Sequence, residues 1–304
     1  VERIYIQEVV TRDGFQMEDQ FVPTERKIAL IDRLSHAGVD KVEVTSFVSP
    51  KAVPNLRDAE EVMAGIERKP GVTYTALIPN VKGAERAAVC QADEVNLVVS
   101  VSETHNLKNV RRTVDESFSN FYDVADVLSG TGIQMNGTLA TTFGCPFEGR
   151  MDENRVMGLI NQYLALGAES ITLADTTGMA TPKQVYQLCE KVLDHWPGLP
   201  VTLHFHNTRG MGLANVMEGI RAGVTRFDAS LGGLGGCPFA PGATGNICTE
   251  DLVHMLAFMG YDVNVNLDQL IEISKGLGKT LNHELPGQII KAGKITDLHS
   301  TSYS

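Results

Sequence analysis

Two histidines one residue apart, His204 and His206, close the apolar run Val201-Thr-Leu-His-Phe-His206. Successive side chains on a strand point to opposite faces, so both imidazoles would project to one side, within reach of one divalent cation. The same spacing also fits one histidine capping the strand and one hydrogen-bonded in the core. Oxygen donors elsewhere in the chain bear on that choice. Arg12-Asp13-Gly14-Phe15-Gln16 follows the first apolar run, Glu43 lies near the end of the second, and Asp175 ends the sixth. Gly232-Gly-Leu-Gly-Gly-Cys237-Pro opens after the eighth, with Asn246 beyond it. Two imidazoles, the carboxylate of Asp13 and the amide oxygen of Asn246, with places left for substrate oxygens, suit octahedral Mg2+ or Mn2+ better than closed tetrahedral Zn2+. Open positions imply catalysis.

Residues so far apart converge only if the fold gathers them. Short apolar runs at 3–9, 41–45, 73–78, 94–100, 133–140, 170–174, 201–205 and 226–230 read as eight strands. Between them lie amphipathic stretches such as 24–37, 56–67, 114–128, 153–166, 182–195 and 212–222. Thr24 and Thr181 are placed as N-caps, and Gly38, Gly167 and Gly223 as left-handed C-caps. Eight βα units in series without a linker predict an α/β fold of the (β/α)8 TIM-barrel type over residues 1–262. Stretch 249–259 supplies the last barrel helix, and 263–304 forms a C-terminal helical extension with a helix at 267–281 and a frayed tail. Active sites of such barrels lie at the C-terminal strand ends, and strands one, seven and eight become neighbours on closure. Asp13, His204, His206 and Asn246 can then meet.

Composition removes other classes of function. A formal net charge of −11 and the lack of a Lys/Arg cluster argue against nucleic acid as a partner. No apolar stretch approaches the roughly 20 residues of a membrane span, so a soluble protein without membrane contact is expected. Five widely spaced cysteines without a C-x-x-C pair read as reduced thiols, placing the protein in a reducing compartment, either bacterial cytoplasm or a mitochondrial matrix.

Six segments carry a specific resemblance: Arg12-Asp-Gly-Phe-Gln16, Glu43-Val-Thr-Ser46-Phe-Val-Ser-Pro50, Gly144-Cys-Pro-Phe-Glu-Gly149, Asp175-Thr-Thr-Gly178, His204-Phe-His206 and Gly232-Gly-Leu-Gly-Gly-Cys-Pro-Phe-Ala240. Together they resemble the 3-hydroxy-3-methylglutaryl-CoA lyase family, within a superfamily of metal-dependent TIM-barrel lyases and condensing enzymes, over residues 3–282. The resemblance implies a divalent cation, Mg2+ or Mn2+, held by Asp13, His204, His206 and Asn246. It implies retro-Claisen cleavage of an acyl-CoA substrate to acetyl-CoA and acetoacetate, with Arg12 facing the thioester carbonyl. A permanently charged guanidinium can stabilise an enolate oxygen as charge develops. Cys237, on a Gly-rich loop, fits the proton donor to carbon, and Glu43 or Asp175 the base. Gln16, Phe15 and Ser46 join Arg12 as substrate-binding candidates. Lys51, Lys82, Arg86, Lys108 and Arg111 are candidates for a rim meeting the CoA phosphates, and a homodimer is implied as well.

This chain departs from the familiar pattern Gly-Pro-Arg-Asp-Gly-Leu-Gln-Asn-Glu-Lys. It reads Val10-Thr11-Arg12-Asp13-Gly14-Phe15-Gln16-Met17-Glu18-Asp19, and Asn207 stands where Asp is usual. The metal residues are kept, whereas the changes touch the substrate pocket. A related 3-hydroxyacyl-CoA such as citramalyl-CoA would use the same chemistry. A Claisen condensing enzyme or pyruvate aldolase shares the barrel and ligands, and a non-catalytic metal-stabilised scaffold is the alternative from another class.

Overall fold

The computed structural model describes residues 2–236 and 245–298. Eight parallel strands close into a barrel: Tyr5–Glu8, Lys41–Ser46, Thr73–Leu77, Glu94–Ser100, Gln134–Ala140, Ser170–Asp175, Val201–Phe205 and Arg226–Ala229, called strands one to eight. Strand eight pairs with strand one, Tyr5 opposite Arg226 and Glu8 opposite Ala229, and the expected TIM barrel is complete. A two-residue hairpin, Gly144–Cys145 against Gly149–Arg150, follows strand five. Strand one is shorter than its apolar run because the chain leaves the ladder at Val9. The Val9 carbonyl accepts from the amides of Arg12, Asp13 and Gly14, which winds the next five residues into a π-helical turn.

Helices cover the outside of the barrel, and their buried faces follow the amphipathic periods of the sequence. Thr181 caps its helix, Pro182–His195, in a reciprocal capping box with Gln184. Thr24 is no cap. The helix Thr24–Ala37 has Pro23 at that position, and the Thr24 hydroxyl donates to Asp58 at 2.8 Å instead. Gly38, Gly167 and Gly223 take φ of 100°, 94° and 102°, the left-handed conformation expected after a helix. The stretch 56–67 divides into a 3-10 turn, Pro54–Leu56, and a helix, Ala59–Gly65. Two further helices, Val81–Val89 and Glu103–Val110, lie before strand four and before helix Val114–Leu128. Both are short, eight or nine residues, and Glu103–Val110 is largely polar besides, which weakens its periodicity. Leu267–Leu281 forms as expected and packs on helices Thr24–Ala37 and Thr249–Phe258.

The barrel interior is unusually polar. Layers inside such barrels are generally filled by Val, Ile and Leu, but Gln7, Lys41, Glu43, Thr75, Asn96, Asn136, Thr172 and Asp228 line one enclosed space here. Near the N-terminal strand ends, Lys41 Nζ donates to both oxygens of Glu94, at 2.6 and 2.9 Å. Gln7 Nε2 donates to the Thr202 hydroxyl at 3.2 Å.

Glu8 points the other way and ties the two ends of the barrel seam. Its Oε1 accepts from the amides of Val10 and Leu231, both at 2.9 Å, and its Oε2 from the Thr249 hydroxyl at 2.7 Å. Burial pushes this carboxyl from 4.5 up to about 8. Glu250, also buried, accepts from the amide of Gly232, the next residue along. A carboxyl raised on folding stabilises fully below its unfolded value, and that contribution is lost as pH rises through the folded one. Wild-type stability should therefore decline between pH 4.5 and about 8 on account of Glu8. Glu8→Gln, which keeps the acceptor and cannot ionise, should flatten that decline in urea melts across the window. Equal slopes in the two proteins would show that Glu8 does not carry it.

Candidate active site

The π-helical turn Val10–Gly14 places Arg12 and Asp13 at the C-terminal mouth of the barrel. Arg12 Nε donates to Glu43 Oε2 at 2.6 Å, and its Nη1 donates to Asp13 Oδ1 at 2.7 Å. Gln16 Nε2 donates to the same Asp13 oxygen at 3.0 Å. Burial opposes the Arg12 charge, yet Glu43 and Asp13 raise its pKa above the ordinary guanidinium value. Burial likewise pushes Asp13 up, but Arg12, His206, His204 and the Asn246 amide together bring its carboxyl below the usual range. Asp13 is thus held as an anion.

The two histidines do share a face. His204 and His206 are buried, with their Nε2 atoms 3.2 Å apart and 4.0 and 3.8 Å from Asp13 Oδ2. One donor atom from each of Asp13, His204 and His206 lies within 4.8 Å of the others, so one ion could touch all three. Asn246 arrives by an antiparallel bridge to His206 and donates through Nδ2 to Asp13 Oδ2 at 2.6 Å. Its Oδ1 is buried without a hydrogen-bond partner among the described residues, and a buried amide oxygen left so costs about 1–3 kcal/mol. A cation would satisfy it. Gly235 passes so close that a side chain there would meet Asn246 Nδ2 at 2.5 Å and Asp13 Oδ2 at 3.1 Å, and its φ of 116° excludes one in any case. The described donor set therefore fits a divalent cation.

Glu43 is spent on partners: Oε2 on Arg12 and Oε1 on the Asn96 amide, which donates at 2.7 Å. Burial raises its pKa against the pull of Arg12 and Asn96. Asp175 differs. Its Oδ1 accepts from the amides of Met179 and Ala180, while Oδ2 is buried and unpartnered among the described residues. Burial pushes its carboxyl up to about 6. Ser46 ends strand two with its hydroxyl likewise unpartnered, and Phe15 joins the apolar core at 1% exposure. Cys237 lies outside the described residues.

The expected basic rim is corrected at one position. Arg86 is taken by Glu60 and the Phe47 carbonyl, with its guanidinium over the Phe47 ring, so it ties its own helix to helix Ala59–Gly65 and to the segment after strand two. Lys51, Lys82, Lys108 and Arg111 stand exposed, and Lys108 lies over the Phe147 ring at 4.9 Å. Sequence reading missed Asp228. Its carboxylate sits 3.0 Å from His204 Nδ1 and, outweighing the effect of burial, raises the imidazole's pKa. The signal was a carboxylate at an alternate position of strand eight, in step with His204 on strand seven. Asn96 was missed too, for want of any local sign of its partner.

With this geometry in place, comparison with known proteins decides the family. A family profile described as HMGL-like matches residues 3–276. The chain belongs to this family. It is 40% identical over 292 residues to the hydroxymethylglutaryl-CoA lyase YngG of Bacillus subtilis, covering 96% of this chain and 98% of the relative. It is also 40% identical over 305 residues to the (R)-citramalyl-CoA lyase of Chloroflexus aurantiacus, covering 97% and 96% respectively. A solved HMG-CoA lyase of Acinetobacter baumannii, in complex with coenzyme A and 3-methylmalate, superposes with a TM-score of 0.96 at 54% identity, covering 99% of this chain and 98% of that one. Family members of this kind are carbon–carbon lyases, and the Asp13, His204 and His206 cluster agrees with their dependence on a metal.

A histidine ligand is aimed by whatever its second ring nitrogen bonds, and loss of such a partner typically costs about 10–100-fold in metal affinity. Asp228→Asn should weaken Mn2+ binding by about that factor in isothermal titration while the fold persists. Unchanged affinity would remove Asp228 from the metal centre.

Proposed function

We propose that the protein cleaves 3-hydroxy-3-methylglutaryl-CoA to acetyl-CoA and acetoacetate, with Mg2+ or Mn2+ held by Asp13, His204, His206 and Asn246. The observation that carries this reading is the placement of Arg12. Its guanidinium lies one carboxylate away from the donor set, with Asp13 Oδ1 at 2.7 Å from Nη1 and Asp13 Oδ2 facing the histidines. In this substrate the tertiary hydroxyl and the thioester carbonyl are close neighbours along the carbon chain, so one molecule can present one oxygen to each.

When bound, the dication supplies Lewis-acid stabilisation of the charge that develops on the alcohol oxygen. Arg12 stabilises the enolate oxygen left when the carbon–carbon bond breaks. Asp175, with one open oxygen, accepts the hydroxyl proton. Glu43, with both oxygens engaged, fixes Arg12 in place of serving as base. Cys237 donates a proton to the enolate carbon, and the proton accepted by Asp175 restores the thiol by way of solvent, so the turnover balances. Gln16 orients Asp13, while Phe15 and Ser46 shape the acyl pocket. The CoA phosphates meet Lys51, Lys82, Lys108 and Arg111. Barrel and C-terminal extension, divided near residue 262, act as one catalytic unit, and the protein works as a homodimer in a reducing compartment. Four described cysteines are unpaired, which supports that compartment.

A second substrate has specific support. Phe15, Met17 and Asp19 flank the Arg12-Asp13 turn where the lyase pattern differs, and the citramalyl-CoA lyase relative is as similar as the hydroxymethylglutaryl-CoA lyase one. Citramalyl-CoA would yield acetyl-CoA and pyruvate by the same steps.

Purified protein with Mg2+ should release acetyl-CoA from one of these two thioesters, followed by mass spectrometry, and EDTA should abolish the release. Failure on both, or formation of free CoA from acetyl-CoA and a 2-oxoacid, would overturn the assignment. Arg12→Ala should lose about a hundredfold or more in kcat, and Cys237→Ala a comparable factor, with Cys237→Ala keeping the wild-type Mn2+ affinity. A Cys237→Ala enzyme at full rate would remove the thiol from the mechanism.

A further inference from the structure

Glu43 is held from below as well as from the mouth. Asn96 Nδ2 donates to Glu43 Oε1 at 2.7 Å, Asn136 Nδ2 donates to Asn96 Oδ1 at 2.9 Å, and the Ser170 hydroxyl donates to Asn136 Oδ1 at 2.8 Å. The second hydrogen on Asn136 Nδ2 faces the hydroxyl oxygens of Thr138 and Thr172, at 3.1 and 3.0 Å. Asn96, Asn136 and Ser170 are register partners on strands four, five and six, so the three side chains form one layer across the barrel interior. Every bond in this file runs the same way, from hydroxyl to amide to amide to carboxylate. Each amide is locked by the next. Turning Asn96 over would set its carbonyl against Glu43 and its NH2 against the NH2 of Asn136.

We propose that Asn96 and Asn136 are positioning residues, an amide relay inside the barrel that fixes Glu43 and, through it, the Arg12 guanidinium. The apolar alternative for such a layer is the ordinary one. A polar layer is costly unless every member is satisfied, and once satisfied it specifies a single arrangement. Here that arrangement ends on the one carboxylate bonded to Arg12 Nε. Asp13 draws the same guanidinium from the other side at 2.7 Å. Without the relay Glu43 is free to turn, and Arg12 moves toward Asp13 and away from the position in which it meets a thioester oxygen. The catalytic consequence rests on the lyase reading above, whereas the positioning of Arg12 does not.

The test uses the full-length protein loaded with Mg2+. With [15N]arginine labelling, the Arg12 Nε–H resonance, assigned by its loss in Arg12→Lys, reports the bond to Glu43 directly. In the wild type it should be shifted downfield and protected from exchange. Asn96→Leu and Asn136→Leu should move it upfield and raise its exchange rate by about tenfold or more, and Glu43→Gln should do the same. In turnover, Asn96→Leu should lower kcat by about ten- to a hundredfold, as expected for a misplaced catalytic group, with little change in KM. Added to Glu43→Gln it should cost less than about twofold more, because the two act through one contact. An Arg12 resonance unmoved in Asn96→Leu, or kcat losses that multiply in the double variant, would overturn the relay. Should Asn96→Leu not fold, Asn96→Ser, which is too short to reach Glu43, is read in the same way. A wild-type protein inactive on both thioesters would defeat the lyase reading, and the resonance would still decide the relay.

Discussion

The buried guanidinium of Arg12, gripped at 2.6 Å by Glu43 and at 2.7 Å by Asp13, is the interaction on which the rest of the mouth depends. Removing one partner of a buried ion pair typically costs about 3–5 kcal/mol, because the remaining charge is stranded. Asp13, Glu43 and Asp228 bring three carboxylates to this region against the single guanidinium of Arg12. That excess of negative charge, beside two imidazoles and an unpartnered amide oxygen, is the electrostatic complement of a dication. The residues that could hold a metal and the charge that would stabilise an enolate are thus parts of one balanced cluster.

Barrel closure assembles the cluster, and local distortions aim it. Strand one must lie beside strand eight for Asp13 to reach histidines on strand seven and Asn246 beyond strand eight. The π-helical turn after Val9 swings Arg12 and Asp13 over the mouth, as such turns do at many functional sites. Glu8 and Glu250, both buried, secure the backbone of Leu231 and Gly232 where the Gly-rich segment begins. The described start of that segment is therefore fixed to the barrel.

The interior trades hydrophobic filling for direction. A layer of Val, Ile and Leu would be simpler to pack, but it has no donor to offer Glu43. The amide file instead gives a definite polarity to the middle of the barrel and terminates it on the carboxylate that carries Arg12.

The sequence by itself determined the barrel and picked out the Asp13, His204 and His206 side chains that the structure gathers into one cluster. Period-two apolar runs and left-handed glycines after helices are local signals, and the alternation of strand side chains alone puts His204 and His206 on one face. Thr24 was misread as a cap because its distant partner Asp58 leaves no mark nearby. The tertiary structure decided the division of labour. Glu43 and Asp175 look alike as carboxylates at strand ends, yet one has both oxygens bonded, to the turn after strand one and to strand four, and the other keeps an oxygen open among the described residues. Asp228 behind His204, and Asn96 and Asn136 behind Glu43, are invisible locally for the same reason. Their roles arise from register between strands many residues apart, which only closure of the barrel fixes.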